Sequence, residues 1–431
     1  MKKRGSRLLR SLLAALLMVA ITIVATIFFF NARPESKLVA QLPVAVPAVG
    51  DAAFPRLLEA YLGKSLVQGN QVELFRNGEA IFTAKIDAIE SAESSVHFEV
   101  YEFWGEYAAA RITDALVESA KRGITVRVLL DFFGSARAEN GYFERMREAG
   151  VELVRWRSPS WYESGRFNNR THRKLLVVDG SIGFTGGANV GDDWWTDNEE
   201  QPTYRDNHYR FEGPIVSQLQ SAFIDNWLRA SNELLVDDAV FPELNSVGDQ
   251  SMQTIISTPA DGKKRVRTFL LLAIAAAQER IWIQTAFFYV DPIVREALIA
   301  ARKRGVEVVL LGPGETGGYN WVRLASRNRW GKLLEAGVRI YEYDEGPFHS
   351  KLFIFDDQLT SVGSVNLHNR SMRLNDETNV NVFCEGFTAK MANVFMEDLE
   401  QAIGYDLERW QERPWSERIR GIIGNAVGPH L

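Results

Sequence analysis

The sequence predicts an α/β protein that consists of two halves related by internal duplication, with one transmembrane helix ahead of them. The first observation is that residues 171–190, THRKLLVVDGSIGFTGGANV, return as residues 348–367, FHSKLFIFDDQLTSVGSVNL. The second is that apolar runs typical of buried strands alternate with helical patterns in both halves of the chain. The third is the uncharged stretch of residues 11–30. A chain of 431 residues that is 46% hydrophobic is long enough to bury two sizeable cores.

The uncharged segment SLLAALLMVAITIVATIFFF, residues 11–30, is predicted to be the transmembrane helix. About 20 helical residues at roughly 1.5 Å each match a hydrocarbon core of about 30 Å. Basic residues precede the segment, and they favour a cytoplasmic N-terminus with the rest of the chain exported. A cleaved signal peptide is the alternative, although the apolar region is longer than usual and shows no good small-x-small cleavage site.

We predict four segments in the chain: a basic N-terminal segment and anchor (1–32), a linker (33–70), a first half (71–245) and a second half (246–431). The linker contains Pro43 and Pro47, which favour an extended backbone. The boundary between the halves is placed where Asp, Pro, Gly and Ser residues gather, at 241–262.

Matching elements are predicted in the same order in the two halves. The first half has a strand at 95–103, a helix at 108–122 and a strand at 124–131. The second half has a strand at 280–288, a helix that Asp291 caps with Pro292 at its first position, and a strand at 306–311. Each half closes with a strand followed by a helix, at 210–227 and at 382–399. The first half also carries about ten extra residues around 158–169, which either shape a substrate entrance or are a plain surface insertion.

The formal net charge of the chain is −6, and the basic residues that precede the apolar stretch leave −11 for the remainder. These residues are Lys2, Lys3, Arg4, Arg7 and Arg10. An acidic balance weighs against nucleic acid as the main substrate, because binding a polyanion draws on basic surface. Cys384 is the only cysteine, so no intrachain disulfide can form. The histidines outside the repeated stretch lack metal-ligand spacing, and we expect neither a metal nor a cofactor.

The repeated stretch carries the pattern H-x-K-x-x-x-x-D, followed at a constant distance by an asparagine. The two sets are His172, Lys174, Asp179 and Asn189, and His349, Lys351, Asp356 and Asn366. On a strand the histidine and the lysine of one set point to the same face. If the chain turns back as a hairpin after the aspartate, the asparagine returns opposite the histidine. Each copy then places an imidazole, a fixed cation and an amide donor in one patch.

Two such patches that face each other make a phosphodiester site. Lys174, Lys351 and the two asparagines can hold the non-bridging oxygens of phosphate and stabilise transition-state charge. One neutral histidine can attack phosphorus, while one protonated histidine supplies a proton to the leaving oxygen. Ser364, in Gly-Ser-Val-Asn, is a further candidate phosphate donor, but the first copy has Gly187 in its place.

These paired motifs resemble those of the phospholipase D superfamily, and the resemblance runs from about Gln71 to the C-terminus. Within the superfamily the chain looks most like the bacterial cardiolipin synthases. The resemblance implies two phospholipase D-like α-β-α halves and a covalent phosphatidyl-histidine intermediate, with His172 as nucleophile and His349 as general acid. Asp179 and Asp356 belong to the motif and so to the catalytic set. Each lies seven residues from its histidine, however, at roughly 3.3 Å per strand residue, which favours turn capping or structural pairing.

Two carboxylates suit the task of orienting the histidines. They are Asp206 in YRDNH and Glu377 in NRSMRLNDE, and the latter stretch resembles the family's R-S-x-x-x-N-x-E. In two-motif relatives each such carboxylate supports the histidine of the opposite half, which would pair Glu377 with His172 and Asp206 with His349. The alternative for both is a solvated surface acid.

The expected activity is phosphatidyl transfer that makes cardiolipin from phosphatidylglycerol or another phosphatidyl donor, in a single-pass protein of the bacterial inner membrane with an extracytoplasmic catalytic region. A phospholipase D hydrolase has the same motifs, and an endonuclease of the superfamily is disfavoured by charge. The expected partners are phospholipids and the membrane, without nucleic acid or an obligatory protein. Aromatic and basic residues cluster at 194–195, 320–321 and 409–420, where they either contact a membrane interface or pack within the fold.

Overall fold

The computed structural model describes residues 11–19, 21–22, 46–158, 168–259, 264–317 and 320–426. Of the predicted transmembrane segment, residues 11–19 and 21–22 are helical, and the remainder lies outside the described residues. Within the described ranges, no helix is both long enough and apolar enough to span a bilayer. Most of the predicted insertion at 158–169 also lies outside the described residues.

The first half contains strands and helices in a regular alternation after an initial helix. They are α1 (Ala53–Leu62), β1 (Val67–Arg76), α2 (Asn77–Glu90), β2 (Ser95–Val100), α3 (Ala108–Lys121), β3 (Thr125–Asp131), α4 (Asn140–Glu148), β4 (Glu152–Trp156), β5 (Arg170–Thr171), β6 (Leu175–Val178), β7 (Ile182–Gly186), β8 (Asn207–Glu212) and α5 (Ile215–Ser231).

The second half repeats this order and adds elements at its end. They are β9 (Gln250–Ser257), α6 (Arg265–Ala276), β10 (Arg280–Gln284), α7 (Pro292–Lys303), β11 (Glu307–Pro313), a 3₁₀ turn (Glu315–Gly317), α8 (Asn320–Glu335), β12 (Arg339–Tyr343), β13 (Leu352–Phe355), β14 (Leu359–Gly363), α9 (Asn369–Arg373), β15 (Asn375–Phe383), α10 (Glu385–Glu400), β16 (Ala402–Tyr405), α11 (Leu407–Gln411) and α12 (Trp415–Ala426).

The described strands form one mixed sheet that is symmetric about its centre, where β1 and β9 pair antiparallel. Outward from β1 the order is β8-β7-β6-β2-β3-β4, and outward from β9 it is β15-β14-β13-β10-β11-β12, followed by β16. The two-residue strand β5 pairs with β15 in parallel, off this path. Because corresponding strands occupy corresponding places, the predicted duplication into two α/β halves is confirmed.

Apart from the short β5–β15 pair, the parallel strand pairs lie among the outer strands of each half, where a helix connects successive strands. In the first half β2 pairs with β3 and β3 with β4, through α3 and α4. In the second half the cap predicted for α7 is present, since the side chain of Asp291 accepts from the backbone N–H groups of Ile293 and Val294. A helical crossover of this kind is what a parallel pair requires.

Apolar side chains bury both faces of the sheet. One cluster lies within the first half and a second lies within the second half. A third contains side chains from both halves, among them Leu175 and Leu352 from the two repeated motifs, together with residues of α5 and α10. This shared cluster holds the halves in a fixed relation, because separating them would expose apolar surface to water.

The predicted linker at 33–70 extends too far, because its C-terminal part is folded. Residues 53–62 form α1, whose Phe54, Leu58 and Leu62 are buried in the core of the second half. Strand β1 then begins at Val67. The spacing of i, i+4 and i+8 places these three side chains on one helix face, so the pattern was present in the sequence.

Candidate active site

Each repeated motif brings its histidine and lysine to the start of a buried strand. Residues 172–174 connect β5 to β6 without strand pairing of their own, yet their side chains alternate. Arg173 points away from the histidine and donates to the carbonyl oxygen of Ala222 at 2.5 Å. Lys174 donates to the carbonyl oxygen of His172 at 2.9 Å. The ammonium group is therefore held beside the imidazole, as the period of two predicts.

The motif aspartates lie at the other end of the strand from the histidines. Asp179 accepts hydrogen bonds from the backbone N–H groups of Glu93, Ser94 and Ser95, at 2.7–2.9 Å. It has a φ of 51° and begins the turn between β6 and β7. Burial alone would raise the pKa of its carboxyl, but these backbone donors lower it.

Asp356 has the same arrangement in the second half. It accepts from the backbone N–H groups of Gln278, Glu279 and Arg280, which lead into β10. Although Asp179 and Asp356 came into the catalytic set with their motifs, the structure separates both from the histidines by the length of a strand. Their contacts are structural, and they join the motif hairpin to the first strand of each crossover.

A carboxylate from the second half holds the histidine of the first half. His172 Nδ1 lies 3.0 Å from Glu377 Oε2, and Glu377 is fully buried. The same carboxylate accepts hydrogen bonds from Ser364 Oγ at 2.5 Å, from Ser371 Oγ at 2.6 Å and from Asn375 Nδ2 at 3.3 Å. Burial would raise the pKa of Glu377, but His172 and the hydroxyl groups of Ser364 and Ser371 lower it to about 2. The group is therefore an anion near neutral pH.

The reciprocal contact holds the histidine of the second half. His349 Nδ1 lies 2.7 Å from Asp206 Oδ2, which also accepts from Trp194 Nε1 at 2.9 Å. The indole of Trp194 packs edge-on against the imidazole at 5.0 Å between ring centroids, and the ring of Tyr204 lies 5.2 Å away. First-half residues thus enclose the second-half histidine on several sides.

Both contacts engage Nδ1, which decides what the other ring nitrogen can do. A neutral imidazole that donates Nδ1–H to a carboxylate has its lone pair on Nε2. The structure therefore offers two Nε2 atoms, one on His172 and one on His349, each with its tautomer set by an acid from the opposite half. One can act as a nucleophile and the other as a carrier of the proton.

Burial dominates the protonation of these groups. Burial, helped by the nearby lysines and opposed by the carboxylates, lowers the pKa of His172 to about 4 and that of His349 to about 3. Lys351 of the second half affects His172, and Lys174 of the first half affects His349, so the two half-sites lie within electrostatic range of each other. Both imidazoles are neutral near pH 7 when no substrate is present.

The lysines are also buried, and burial lowers the pKa of Lys174 to about 8 and that of Lys351 to about 7. Lys351 Nζ lies 2.8 Å from His349 Nδ1 and donates to the carbonyl oxygen of His349 at 2.5 Å. An anionic phosphodiester that binds between the lysines would stabilise their charged forms and raise the pKa of the histidines.

Buried polar contacts join the halves directly behind the histidines. Arg205 forms a two-pronged ion pair with Asp398 of α10, at 2.7 and 2.8 Å. The backbone carbonyl oxygen of Arg205 accepts a hydrogen bond from the backbone N–H of His349 at 2.9 Å. The backbone carbonyl oxygen of Asp376 accepts one from the backbone N–H of His172, also at 2.9 Å. These backbone bonds fix the position of each histidine relative to the half that supplies its carboxylate.

Besides the lysines, the three other predicted phosphate donors differ in what they contact. Asn189 Nδ2 donates to Glu102 Oε2 at 2.9 Å. Asn366 Nδ2 is buried and has no hydrogen-bond partner among the described residues, so it is available to a bound group. Ser364 is fully buried and donates to Glu377, which makes it a support for the carboxylate in the substrate-free site.

The sequence analysis did not identify Glu102. Its carboxylate accepts the hydrogen bond from the amide of Asn189 and lies near both motif lysines. Burial raises its pKa, and Lys174 opposes the shift. Pairing of β2 with β6 and of β10 with β13 makes Phe287 the second-half equivalent of Glu102. A comparison of the two halves position by position would have drawn attention to a carboxylate opposite a phenylalanine.

Comparison with known proteins agrees with this geometry. The sequence profile described as "Cardiolipin synthase, PLD-like domain" matches residues 86–227 and 270–399. A cardiolipin synthase from a Geobacillus species is 35% identical over 390 residues, which cover 89% of this chain and 77% of that protein. The major cardiolipin synthase of Bacillus subtilis is 32% identical over 367 residues, which cover 84% of this chain and 76% of that protein.

The fold is also found among solved structures. The crystal structure of phosphatidylserine synthase from Haemophilus influenzae Rd KW20 matches with a TM-score of 0.66 and 13% identity, over 88% of this chain and all of that one. This likeness concerns the fold alone. Taken with the two profile matches and the identities above, the chain belongs to the phospholipase D superfamily and, within it, to the family defined by the PLD-like domain of cardiolipin synthase.

Proposed function

We propose that this enzyme transfers a phosphatidyl group from phosphatidylglycerol, or another phosphatidyl donor, to the headgroup hydroxyl of a second lipid and so makes cardiolipin. The observation that carries the proposal is the crossed pair of contacts, Glu377 to His172 and Asp206 to His349, which leaves two imidazole Nε2 atoms for one phosphorus. The similarity to cardiolipin synthases over most of the chain supports the choice of substrate.

In the first step the lone pair of His172 Nε2 attacks phosphorus, and the bond from phosphorus to the donor's headgroup oxygen breaks. His349, protonated at Nε2 in the substrate complex, gives its proton to that oxygen, and the headgroup alcohol leaves. In the second step the hydroxyl of the acceptor lipid loses its proton to His349 and attacks phosphorus. The bond to His172 breaks, and both histidines return to their starting state.

Charge stabilisation falls to the lysines and asparagines. Lys174 and Lys351 neutralise the non-bridging oxygens. The amide nitrogen of Asn366, which has no partner in the part of the chain that the structure describes, donates to one of them. Because the site is buried, such interactions are worth more than in water. The negative charge of the substrate also raises the pKa of His349 from its low value in the empty site, which readies it as an acid.

The cellular setting is part of the same proposal. Residues 11–30 anchor the enzyme as a single-pass protein of the bacterial inner membrane, with the catalytic region on the extracytoplasmic side. Confinement to the membrane raises the effective concentration of the acceptor lipid above that of a soluble alcohol. Hydrolysis uses the same intermediate, with water in place of the acceptor.

The test is to supply the purified full-length enzyme with radiolabelled phosphatidylglycerol in vesicles and to separate the lipid products. Cardiolipin with release of glycerol is expected, whereas phosphatidic acid without cardiolipin would make the enzyme a hydrolase. Rapid denaturation in detergent at neutral pH should trap label on the protein, because the bond from phosphorus to the histidine nitrogen is labile in acid. The label is expected to disappear in His172→Ala and to persist in His349→Ala, and the opposite pattern would exchange the two roles.

A further inference from the structure

The C-terminal helix α12 (Trp415–Ala426) packs against the protein with its small and polar face and turns its large apolar side chains outward. This is the reverse of the usual arrangement of a surface helix, in which the apolar stripe faces the core. Such an inversion identifies a surface that contacts something other than water.

The packed face of α12 consists mainly of glycines. Gly421 and Gly424 are buried, and a Cβ atom at Gly421 would lie 2.8 Å from the carbonyl oxygen of Leu324 in α8. The glycine therefore permits a close approach of the two helices. Glu417, the one acidic residue of α12, also turns inward, where it pairs with Arg327 of α8 at 3.3 Å.

The opposite face carries four large apolar side chains with high exposed fractions. They are Trp415 (77%), Ile419 (52%), Ile422 (61%) and Ile423 (66%). At about 100° per residue they fall within a sector of roughly 100°, whose centre is about 180° from the sector of Glu417, Gly421 and Gly424. Arg420 is exposed on the border between the two sectors.

The chemistry of the exposed face fits a bilayer better than a second protein chain. The four side chains expose on the order of 500 Å² of apolar surface, below the roughly 800 Å² per partner of a stable protein interface. With Glu417 turned inward and Arg420 outward, the border of the stripe is cationic and complements anionic phospholipid. An exposed tryptophan at the start of the stripe suits the headgroup region.

The position of α12 links this face to the active site. Helix α8, on which α12 packs, contributes Trp330, whose ring lies 4.9 Å from that of Phe288. The neighbouring Phe287 lies 5.5 Å from the ring of His368. From the same loop Thr285 Oγ1 donates to Asn366 Oδ1 at 3.4 Å. The stripe is thus attached through one helix to the loop that borders the second half-site.

We propose that α12 is an interfacial helix that lies flat on an anionic phospholipid bilayer, with Trp415, Ile419, Ile422 and Ile423 inserted among the lipids and Arg420 at the headgroups. This contact is separate from the proposed N-terminal anchor, and it holds the loop beside the second half-site, which α8 connects to α12, near the surface from which lipid enters. The proposal rests on the proposed function insofar as the substrate is a membrane lipid.

The test is a scan with a fluorophore that reports depth, on full-length enzyme in which Cys384, the only cysteine, is replaced by serine. Single substitutions Ser416→Cys, Ile419→Cys, Arg420→Cys, Ile422→Cys and Ile423→Cys each receive the label. The enzyme is then reconstituted in vesicles of phosphatidylglycerol and phosphatidylethanolamine with brominated acyl chains. Quenching is expected to be strong at positions 419, 422 and 423, intermediate at 416, which is next to Ile423 around the helix, and at most weak at 420.

Uniform quenching along the helix, or none above that of labelled enzyme in lipid-free detergent, would overturn the proposal. If the stripe labels are shielded from aqueous iodide before any vesicle is added, a second copy of the chain covers the face, and the proposal also fails. The scan needs no turnover. The docking and the proposed cardiolipin synthesis can therefore fail separately.

A second measurement asks whether docking serves catalysis. Ile419→Glu with Ile423→Glu is expected to lower kcat/KM on phosphatidylglycerol vesicles by tenfold or more, since burying each isoleucine contributes about tenfold to insertion. With a short-chain monomeric substrate kcat/KM should not change. The matched control is Leu234→Glu with Val236→Glu, which alters two exposed apolar side chains outside the stripe. Equal losses in the two double variants, or on both substrates, would contradict the role of α12.

Discussion

Replacing Glu377 by glutamine tests the crossed arrangement of acids and histidines most directly. The substitution keeps the size of the side chain but removes the charge that holds His172 at 3.0 Å, and the new amide must also meet the hydroxyl donors Ser364 and Ser371. Loss of a charge-assisted hydrogen bond costs about 1.5–3 kcal/mol, or roughly 10–150-fold in rate. If the amide also reverses the histidine tautomer, the cost rises to about 10⁴. We therefore expect Glu377→Gln to decrease kcat by a factor between roughly 10 and 10⁴.

The assay compares two substrates that differ only in the leaving group. Phosphatidylglycerol needs a proton on the departing glycerol, whereas phosphatidyl-p-nitrophenol releases a stable anion without one. Glu377→Gln should be slow with both substrates, because it impairs the attack by His172. Asp206→Asn is the matched control in the other half. The burst of its first turnover should be slow with phosphatidylglycerol but substantially rescued with the nitrophenyl ester, because in that step His349 acts on the leaving group.

Rescue of Glu377→Gln but not of Asp206→Asn would exchange the roles of the two histidines. If both variants retain near-normal rates with both substrates, the carboxylates do not orient the imidazoles, and the reasoning from the crossed contacts is refuted. Thermal unfolding of each variant is measured in parallel, so that a loss of folded enzyme is not read as a loss of chemistry.

Three further outcomes are expected. Asp398→Ala should lower the free energy of unfolding by about 3–5 kcal/mol, because it leaves the buried guanidinium of Arg205 without its ion-pair partner. The control Glu397→Ala removes the exposed partner of Arg76 and should lower it by less than about 1 kcal/mol. Urea denaturation measures both changes. Asp356→Ala should cost about 2–4 kcal/mol in the same assay, since three backbone N–H groups lose their acceptor, with kcat of the folded enzyme changed by less than about threefold. In a pH profile, kcat/KM should fall as pH rises above about 7, the pKa to which burial lowers Lys351, because the neutral amine no longer neutralises phosphate.

Each of these outcomes has a clear counterpart that would contradict it. Equal destabilisation by Asp398→Ala and Glu397→Ala would mean that the buried ion pair does not join the halves. A large loss of kcat in stable, folded Asp356→Ala would return that aspartate to the chemistry. If kcat/KM continues to rise through pH 8, the charge of Lys351 is not what limits phosphate binding.

The two half-sites are related by duplication, but they are not interchangeable. Ser364 donates to Glu377, whereas a Cβ atom at the equivalent Gly187 would lie only 2.0 Å from Asp206 Oδ1. The shorter acid sits closer to the backbone of its neighbouring strand, and glycine is required there. Different surroundings of the two acids are consistent with different tasks for the two histidines.

The sequence by itself determined the elements that depend on local pattern and on repetition. The duplication, the order of strands and helices and the cap of α7 follow from periodicity, turn residues and two copies of one motif. Pairing the copies position by position also pointed to His172 and His349 as one site. Helix α1 was missed although its pattern was visible, because the prolines ahead of it favoured a linker.

Only the tertiary structure decided which groups meet across the chain. Glu102 lies against Asn189, Trp194 closes over His349, and Arg205 reaches Asp398, in each case through contacts between residues far apart in sequence. Local pattern cannot encode such pairs, since they depend on how the two halves of the sheet meet and on which side chains are buried between the halves. The same holds for α12. Its sequence predicts an apolar face and a face of small and polar residues, but it does not determine which of the two packs against the protein. Packing of its glycine face on α8 alone determined that the apolar stripe points outward.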